Sequence, residues 1–421
     1  MEEKFDAVVV GGGASGLGAA IKLAKYGFNV VLLERGERIG SKSVYGGRIY
    51  SEVFKRELGS LDDAPVERWV RKEVLTFLDS ERGLSIELFA KKNEESFTAY
   101  LSNFNSWLAQ IAENEGALVI AGMKVDDLII EDGKVKGVVA GGEKLYSDVV
   151  IDAEGVNPIL AMRAGIRRDW KPNEVAVGVK EVVKLSEEEI NKRFGLESDE
   201  GLANLMVGFP NSIGGAFLYT NKETVSLGVV VRVDSAVKNN LDVYELAEDI
   251  RLHPYVYRLV KGGSVIEYSA HLVPEAGVRG VPERLVSDGF VLVGDAAGLV
   301  LNRGFTVRGV DYAFYSGVLA AEAVKNAHEK GEMSRENLAV YESLLKSSAI
   351  YEELKFYEKA HEILGEEKFY SLYPQMFIEV FEELYRMDKP KTVYSVVKEK
   401  MRERVSTFRA FMDFWKVVRS L

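Results

Sequence analysis

Three glycines near the amino terminus constrain the fold of this chain more than any other feature. Gly11, Gly13 and Gly16 lie between an apolar strand predicted for Phe5–Val10 and a helix predicted to end near Tyr26. In a βαβ unit, the first glycine makes a tight turn, the second lets phosphates approach the backbone, and the third lets the helix pack on the strand. The spacing therefore predicts an α/β sheet that holds a dinucleotide pyrophosphate at a helix amino terminus.

An acidic residue follows the second strand of this unit. The strand is predicted for Asn29–Leu33, and Glu34 comes directly after it, about twenty residues beyond the glycines. A carboxylate at this position accepts hydrogen bonds from the hydroxyls of an adenosine ribose. We therefore predict that Glu34 binds the nucleotide, together with Arg35 after it and Ala14 and Ser15 in the first helical turn.

A second motif follows a later apolar strand, predicted for Phe290–Val293. Gly294 and Asp295 begin a Gly-Asp-Ala-Ala-Gly turn, ahead of a helix of small residues predicted for about 309–327. Taken alone, this turn also fits an ordinary connection between a strand and a helix. An aspartate here is placed to accept hydrogen bonds from ribityl hydroxyls, which FAD has and NAD lacks. With the amino-terminal glycines, the motif predicts FAD as the cofactor.

Composition and charge exclude several classes of protein. The chain has no cysteine, which excludes disulfides, Cys-ligated iron–sulfur clusters and thiolate chemistry within it. Its four histidines show no zinc-ligand spacing, so no metal site is predicted. A net charge of −11 gives no reason to expect nucleic acid as a partner. With no apolar run of roughly 18–20 residues and a strand beginning at Phe5, the chain is predicted to be cytoplasmic.

The pattern of elements predicts two lobes and a helical tail, because one core rarely serves more than roughly 250–300 residues. The predicted fold is α/β, with a glutathione-reductase-like Rossmann lobe built on a mixed sheet, a β-rich substrate lobe and a helical carboxyl-terminal region. The predicted divisions are 1–80, 103–165 and 285–330 for the FAD-binding lobe, 81–102 and 170–284 for the β-rich lobe, and 331–421 for the helical region. Local patterns further predict a helix over 63–79, a strand at Ser96–Ser102 and a helix capped by Asn103.

Several segments resemble a known flavoprotein superfamily. GGGASG, the stretch Val150–Gly155 and GFVLVGDAAG are similar to the flavin motifs of geranylgeranyl reductases and aromatic hydroxylases. The longer segments Gly40–Tyr50, Gly214–Val231 and Gly294–Ala313 resemble the FixC group of electron-transfer-flavoprotein:quinone oxidoreductases. Glu154 precedes Gly155 where the hydroxylases usually carry Asp-Gly, which weakens the hydroxylase assignment.

The resemblance implies further cofactor contacts. Arg48 should lie near the flavin, and Val125 should meet the adenine through its backbone. The other positions implied are Gly46, Gly47, Gly155, Gly304 and Phe305. Arg48 and Arg308 are also compatible with plain salt bridges. A set of aromatic residues either lines a flat pocket in front of the ring or fills the core: Tyr45, Phe217, Tyr219 and Phe305.

The resemblance also implies the direction of electron flow. The donor would be an electron-transfer flavoprotein with FixA- and FixB-like subunits, assisted by a ferredoxin-like FixX chain, and the acceptor would be a membrane quinone. A second GxGxxG is missing, which argues against a disulfide reductase that binds NADH. Two alternatives stay open: a geranylgeranyl reductase that hydrogenates prenyl lipids, and a flavin-bearing assembly subunit without a substrate pocket.

The last 36 residues form a basic segment in an acidic chain, with ten basic and four acidic residues in Arg386–Leu421. Apolar residues at three- and four-residue steps predict a helix around 396–419 with a hydrophobic face; they are Val397, Met401, Val405, Phe408, Phe411, Met412, Trp415 and Val418. Such a helix either lies on an anionic membrane, here the inner face of the cell membrane, or packs on its own protein.

Overall fold

The computed structural model describes residues 4–43, 47–197, 199–386, 390–404 and 407–421. Its strands are β1 (Lys4–Val10), β2 (Val30–Glu34), β3 (Gly47–Tyr50), β4 (Arg68–Leu78), β5 (Gly83–Phe89), β6 (Ser96–Ala99), β7 (Leu118–Ala121), β8 (Val125–Glu131), β9 (Lys134–Ala140), β10 (Glu143–Asp152), β11 (Val175–Lys184), β12 (Glu200–Val207), β13 (Gly214–Thr220), β14 (Thr224–Arg232), β15 (Ser264–Pro274), β16 (Val286–Ser287), β17 (Phe290–Leu292), β18 (Leu301–Asn302) and β19 (Val307–Arg308).

The helices are α1 (Ala14–Lys25), α2 (Glu52–Leu58), α3 (Leu101–Asn114), α4 (Ile159–Arg163), α5 (Glu187–Phe194), α6 (Val233–Lys238), α7 (Val243–Leu252), α8 (Pro254–Val260), α9 (Val310–Glu329), α10 (Arg335–Leu338), α11 (Val340–Lys346), α12 (Ala349–Phe356), α13 (Ala360–Leu364), α14 (Leu372–Tyr385), α15 (Val393–Arg404) and α16 (Thr407–Ser420).

The first sheet contains the glycine motif. Its order is β16-β17-β10-β1-β2-β7, and the strands from β17 to β7 run parallel. The hairpin β8–β9 extends β10 in antiparallel fashion, so the sheet is mixed as predicted. Glycines let the backbones of helices α1 and α9 come into direct contact. A Cβ at Gly18 would clash with the Phe314 carbonyl oxygen, and a Cβ at Gly317 would clash with the Ser15 carbonyl oxygen. This close contact fixes the amino end of α1 beside the strand edges.

The second sheet has the order β15-β11-β14-β13-β12-β4-β6-β3, with β5 paired to β4. The helix predicted for 63–79 is wrong, since β4 occupies Arg68–Leu78 within this sheet. Most residues at its alternate positions are buried, and its buried charged residues have partners that are distant in sequence. Arg68 Nε donates to Asn221 O at 2.8 Å, and Lys72 Nζ donates to Phe194 O at 2.8 Å. These partners stabilise the cations inside a strand, where local sequence gives no sign of them.

Two smaller predictions, for the end of β6 and the start of α3, also need correction. Strand β6 ends at Ala99, and α3 begins at Leu101 with Tyr100 as its cap residue, so Asn103 lies within the first turn and does not cap the helix. The main chain of Tyr100 is extended, and its carbonyl oxygen accepts the Phe104 N–H at 3.0 Å.

The predicted division of the chain cuts across the observed sheets. Strands β3 and β4 fall within residues 1–80, which were assigned to the FAD-binding lobe, yet both pair in the second sheet. The chain therefore enters the second sheet by residue 47, before the predicted boundary at residue 81. The exact limits of the lobes stay a prediction.

The carboxyl-terminal region is helical, as predicted. The single helix predicted around 396–419 is two helices, α15 and α16, and Val405 lies outside the described residues. Within the described ranges, no helix is both long and apolar enough to cross a membrane.

Candidate functional site

The loops that follow the parallel strands meet at one edge of the first sheet. Gly11 follows β1, Arg35 follows β2, Ala153 follows β10 and Asp295 follows β17 shortly after its end. All four residues line a cavity of about 1150 Å³. This exceeds the roughly 300–1,000 Å³ of common small-molecule pockets. The site therefore has room for a dinucleotide and a second molecule, at the edge where open α/β sheets bind their ligands.

The three glycines of the motif have different structural roles. Gly11 has a φ of +111°, and a Cβ there would clash with the Ala153 carbonyl oxygen. A Cβ at Gly16 would clash with the Gly11 carbonyl oxygen, so this glycine packs α1 against the turn. Gly13 borders the cavity, and a Cβ there would have no described atom within 4 Å. The open space at Gly13, at the amino end of α1, fits a pyrophosphate group.

Glu34 is fixed by backbone donors on both sides. Its Oε2 accepts the Gly12 N–H at 2.7 Å, and its Oε1 accepts the Gly36 N–H at 2.7 Å. Each carboxylate oxygen keeps further capacity to accept a hydrogen bond, and the side chain lines the cavity. This geometry suits the predicted contact with ribose hydroxyls.

Asp295 is a half-buried carboxylate at the wall of the cavity. Burial raises its pKa to about 6. Within the described ranges, the structure shows no hydrogen-bond donor to its carboxylate, although buried carboxylates normally have one. A row of ribityl hydroxyls would supply these donors. The residues at this end of the cavity therefore fit FAD.

The unpaired carboxylate predicts a pH-dependent stability in the FAD-free protein. Because the pKa of Asp295 is raised in the folded state, its contribution is complete below about pH 4 and is lost as the pH rises through 6. From about pH 4 to pH 7 this group alone should lower the free energy of unfolding by roughly 2 kcal/mol. Urea unfolding of the FAD-free Asp295→Asn variant should lack this loss.

The exposed residue Asp63 supplies a matched control. The FAD-free Asp63→Asn protein should follow the wild-type pH dependence. If Asp295→Asn and the wild type lose stability in parallel between these pH values, the assignment of an unpaired carboxylate at position 295 is wrong.

The structure brings most of the predicted cofactor residues to this one cavity. Those that line it are Gly11, Gly13, Ala14, Ser15, Glu34, Arg35, Gly47, Arg48, Val125, Gly155, Asp295, Gly304 and Phe305. Gly16 and Gly294 are buried and do not line the cavity. Gly294 has a φ of +64°, and its N–H donates to Ser316 Oγ at 2.9 Å. Tyr45 and Gly46 lie outside the described residues.

Two arginines of the lining are also held in ion pairs. Arg48 pairs with Glu73 through two guanidinium nitrogens, one of them 2.9 Å from Oε2. Arg308 donates to Asp311 Oδ2 at 3.0 Å from Nε and to Glu353 Oε2 at 2.6 Å. Both arginines therefore border the cavity and form salt bridges, and the contact of Arg48 with a flavin stays a prediction.

The far part of the cavity is apolar. Phe217 and Tyr219 of β13 stack with centroids 5.1 Å apart and line it from the second sheet. Helices α14 and α16 also line the cavity. Their lining residues are Pro374, Met376, Phe377, Ala410, Phe411, Phe414 and Val417.

Sequence reasoning missed three features of this site. Glu73, the partner of Arg48, lies on the strand that was predicted as a helix. Glu275 follows β15 and borders the cavity without any motif around it. The contribution of α14 and α16 has no local signal beyond the apolar spacing, which does not indicate what the helix faces.

Comparison with known proteins identifies what this fold and site define. Residues 6–183 match the FAD dependent oxidoreductase family, and residues 175–273 match the family described as ETF-QO, ubiquinone-binding. The chain is an FAD-dependent oxidoreductase. It is 39% identical over 394 residues, 92% of either chain, to Protein FixC of Escherichia coli K12. The chain belongs to the FixC group of the electron-transfer-flavoprotein:quinone oxidoreductase family.

Further relatives agree with this assignment. The chain is 39% identical, over 92% of either chain, to the probable electron transfer flavoprotein-quinone oxidoreductase YdiS of Escherichia coli K12. Protein FixC of Azorhizobium caulinodans is 36% identical, with 98% of this chain and 95% of that protein covered.

A solved structure also shares the fold. A geranylgeranyl bacteriochlorophyll reductase-like protein of Thermoplasma acidophilum has a TM-score of 0.76 at 20% identity, covering 99% of this chain and 100% of that one. At this identity the likeness concerns the fold alone.

Proposed function

We propose that the chain transfers electrons from an electron-transfer flavoprotein to a membrane quinone. Bound FAD would supply a redox centre that stores two electrons and exchanges them singly or as a pair. The observation that carries the proposal is the continuity of the cavity. Nucleotide-binding loops form one end, and the segment that matches the ubiquinone-binding family forms an apolar wall of the other, with Phe217 and Tyr219.

The orientation of α16 supports contact with a membrane. Asp413, a polar residue, faces the protein and is 3% exposed; it accepts from Lys368 Nζ at 2.7 Å and from the Tyr373 hydroxyl at 2.6 Å. The large apolar residues point outward instead, with Phe408 76% and Phe414 62% exposed. A helix packed only on its own protein would bury these residues.

The surroundings of this helix favour an anionic lipid surface as the occupant. Exposed apolar residues continue onto α14, where Phe377, Phe381 and Tyr385 recur at every fourth position. Arg409, Lys416 and Arg419 add positive charge on α16. Apolar residues bordered by cations are typical of helices that lie in the interface of an anionic membrane. We therefore place the protein peripherally, at the inner face of the cell membrane.

The same arrangement would let a quinone enter from the lipid. Phe411 and Phe414 border the cavity and are also exposed at the surface. An apolar path thus connects the outer face of α16 with the interior.

The composition of the chain supports a requirement for partner proteins. Because the chain has no cysteine, any iron–sulfur cluster on the electron path must belong to another chain. We infer that the partners are an electron-transfer flavoprotein with FixA- and FixB-like subunits and a ferredoxin-like chain.

Anaerobic reduction assays test this function. The FAD-loaded protein, reduced with light and then mixed with a short-chain ubiquinone, should return to the oxidised flavin spectrum with one quinol formed per flavin. Purification in mild detergent should retain the electron-transfer flavoprotein subunits. Hydrogenation of a geranylgeranyl lipid without quinol formation would instead favour the prenyl reductase.

A further inference from the structure

A second, smaller cavity adjoins the main one beside Glu275. It measures about 40 Å³, and a water molecule needs about 10–15 Å³ of such space. Its polar lining comes from Arg232, Asn302, Tyr357, Glu358 and His361. Glu275 lines both cavities and therefore lies at the boundary between them.

The backbone around Glu275 is fixed on both sides. Its N–H donates to Glu174 O at 2.8 Å, and its carbonyl oxygen accepts from His361 Nδ1 at 2.8 Å. The carboxylate oxygens accept from Asn302 Nδ2 at 3.3 and 3.5 Å. The backbone of Glu275 is therefore held at the junction of the two cavities, with Asn302 beside both carboxylate oxygens.

The groups around the Glu275 carboxyl provide little compensation for the negative charge of its ionised form. Arg232, at the end of β14, directs Nε and one terminal nitrogen to Asp234 at 2.7 and 2.9 Å. Tyr370 donates its hydroxyl to Leu364 O at 2.8 Å, and burial lowers the pKa of His361, which favours its neutral form. Burial raises the pKa of Glu275 despite the Asn302 hydrogen bond and the Arg232 charge. The carboxyl thus keeps its proton to a higher pH than an exposed glutamate does.

The outer wall of the small cavity leads toward solvent. Glu358 has a side-chain exposure of 36% and lies on the same wall as His361. Water at this wall would restore a proton that Glu275 has given up.

We propose that Glu275 passes protons from solvent to the quinone, with the small cavity as its supply route. This inference rests on the proposed function. Reduction of a quinone to a quinol adds two electrons and two protons. The electron pair and one proton are those stored on anionic reduced FAD, and the second proton leaves the Glu275 carboxyl for a quinone oxygen. The resulting carboxylate takes up one proton from solvent, relayed by water in the small cavity, which balances atoms and charge.

The Glu275→Gln variant tests the proposal, because it keeps the shape of the side chain but holds no transferable proton. The light-reduced, FAD-loaded variant should reduce a short-chain ubiquinone at least roughly tenfold more slowly than the wild type, since a positioned general acid contributes about 10²–10⁴-fold. The deficit should shrink as the pH rises through the pKa of Glu275, because the wild type then lacks the transferable proton as well. Reduction of ferricenium, which takes up an electron and no proton, should be unchanged.

Infrared spectroscopy of the FAD-free protein gives a readout that is independent of turnover. Protonated-carboxyl absorption should persist above the pH at which exposed carboxyls ionise, with contributions from Asp152 and Asp295 as well, since burial raises the pKa of both. The difference spectrum between the wild type and Glu275→Gln should isolate the band of Glu275. Glu362→Gln is the matched control, because Glu362 lies on the same helix as His361, pairs with Arg279 at the surface and borders neither cavity. This control should keep both the band and the rate.

The possible outcomes distinguish a failure of the proposed quinone reduction from a failure of the proton relay alone. A wild-type protein that does not reduce quinone overturns the proposed function and the relay with it. A wild type that reduces quinone beside an equally fast Glu275→Gln variant overturns the relay alone. Equal slowing with quinone and with ferricenium also overturns it, because the residue would then be structural.

Discussion

A Gly13→Val protein is expected to fold and to contain no FAD. A Cβ at Gly13 meets no described atom within 4 Å, and the backbone there is extended, with φ −83° and ψ 179°. The change therefore costs the FAD-free fold only the poorer helix cap, up to about 1 kcal/mol. In the cavity, the valine occupies the place of the pyrophosphate. Loss of two charge-assisted hydrogen bonds of roughly 1.5–3 kcal/mol each weakens binding by about 10²–10⁴-fold.

Gly16→Val is the matched control for this variant. The same side chain at Gly16 would strike the Gly11 carbonyl oxygen, so this protein should be unstable even without cofactor. Circular dichroism, thermal unfolding and the flavin absorbance of both purified proteins measure the contrast. A Gly13→Val protein with one FAD per chain would show that the phosphates bind elsewhere.

The parts of the site that sequence predicted are those with local causes. Gly11 makes the turn after β1, and Gly16 lies in the helix that follows, so both belong to one segment of six residues. Asp295 follows its strand by three residues. Once strand and helix form, these residues must meet at the carboxyl edge of a parallel sheet. Local spacing is therefore sufficient to predict which residues meet at this edge of the sheet.

The parts that sequence did not predict depend on distant partners. Strand β4 contains Arg68 and Lys72, whose charges are stabilised by carbonyl and amide oxygens more than 120 positions away. Without those partners, a run so rich in cations indicates an exposed helix. The direction of α16 is likewise set by the contacts of Asp413 with Lys368 and Tyr373. Helical periodicity shows that an apolar face exists, and it does not show whether that face points inward.

The exposed apolar face of α16 should determine how strongly the protein binds to anionic vesicles. A variant in which Phe408, Met412 and Trp415 are all changed to serine should lose binding to anionic vesicles. These side chains are exposed and do not line the cavity, so the fold and FAD content should be unchanged. Insertion of each contributes up to about 1.5–3 kcal/mol. Even at half that value for each, the variant should bind roughly 50- to 2,000-fold more weakly in a vesicle sedimentation assay.

Salt and a control variant complete this test. Wild-type binding should be strong at low salt and weaken as salt rises, since each basic residue near the anionic surface contributes about 1 kcal/mol within a Debye length. Val237, which is 75% exposed on α6, supplies a comparable apolar side chain outside this helix, and Val237→Ser should bind vesicles as the wild type does. An intact protein that stays in the supernatant at low salt would contradict membrane docking. The apolar face of α16 would then have to be covered by a partner protein, and the quinone would have to reach the cavity by another path.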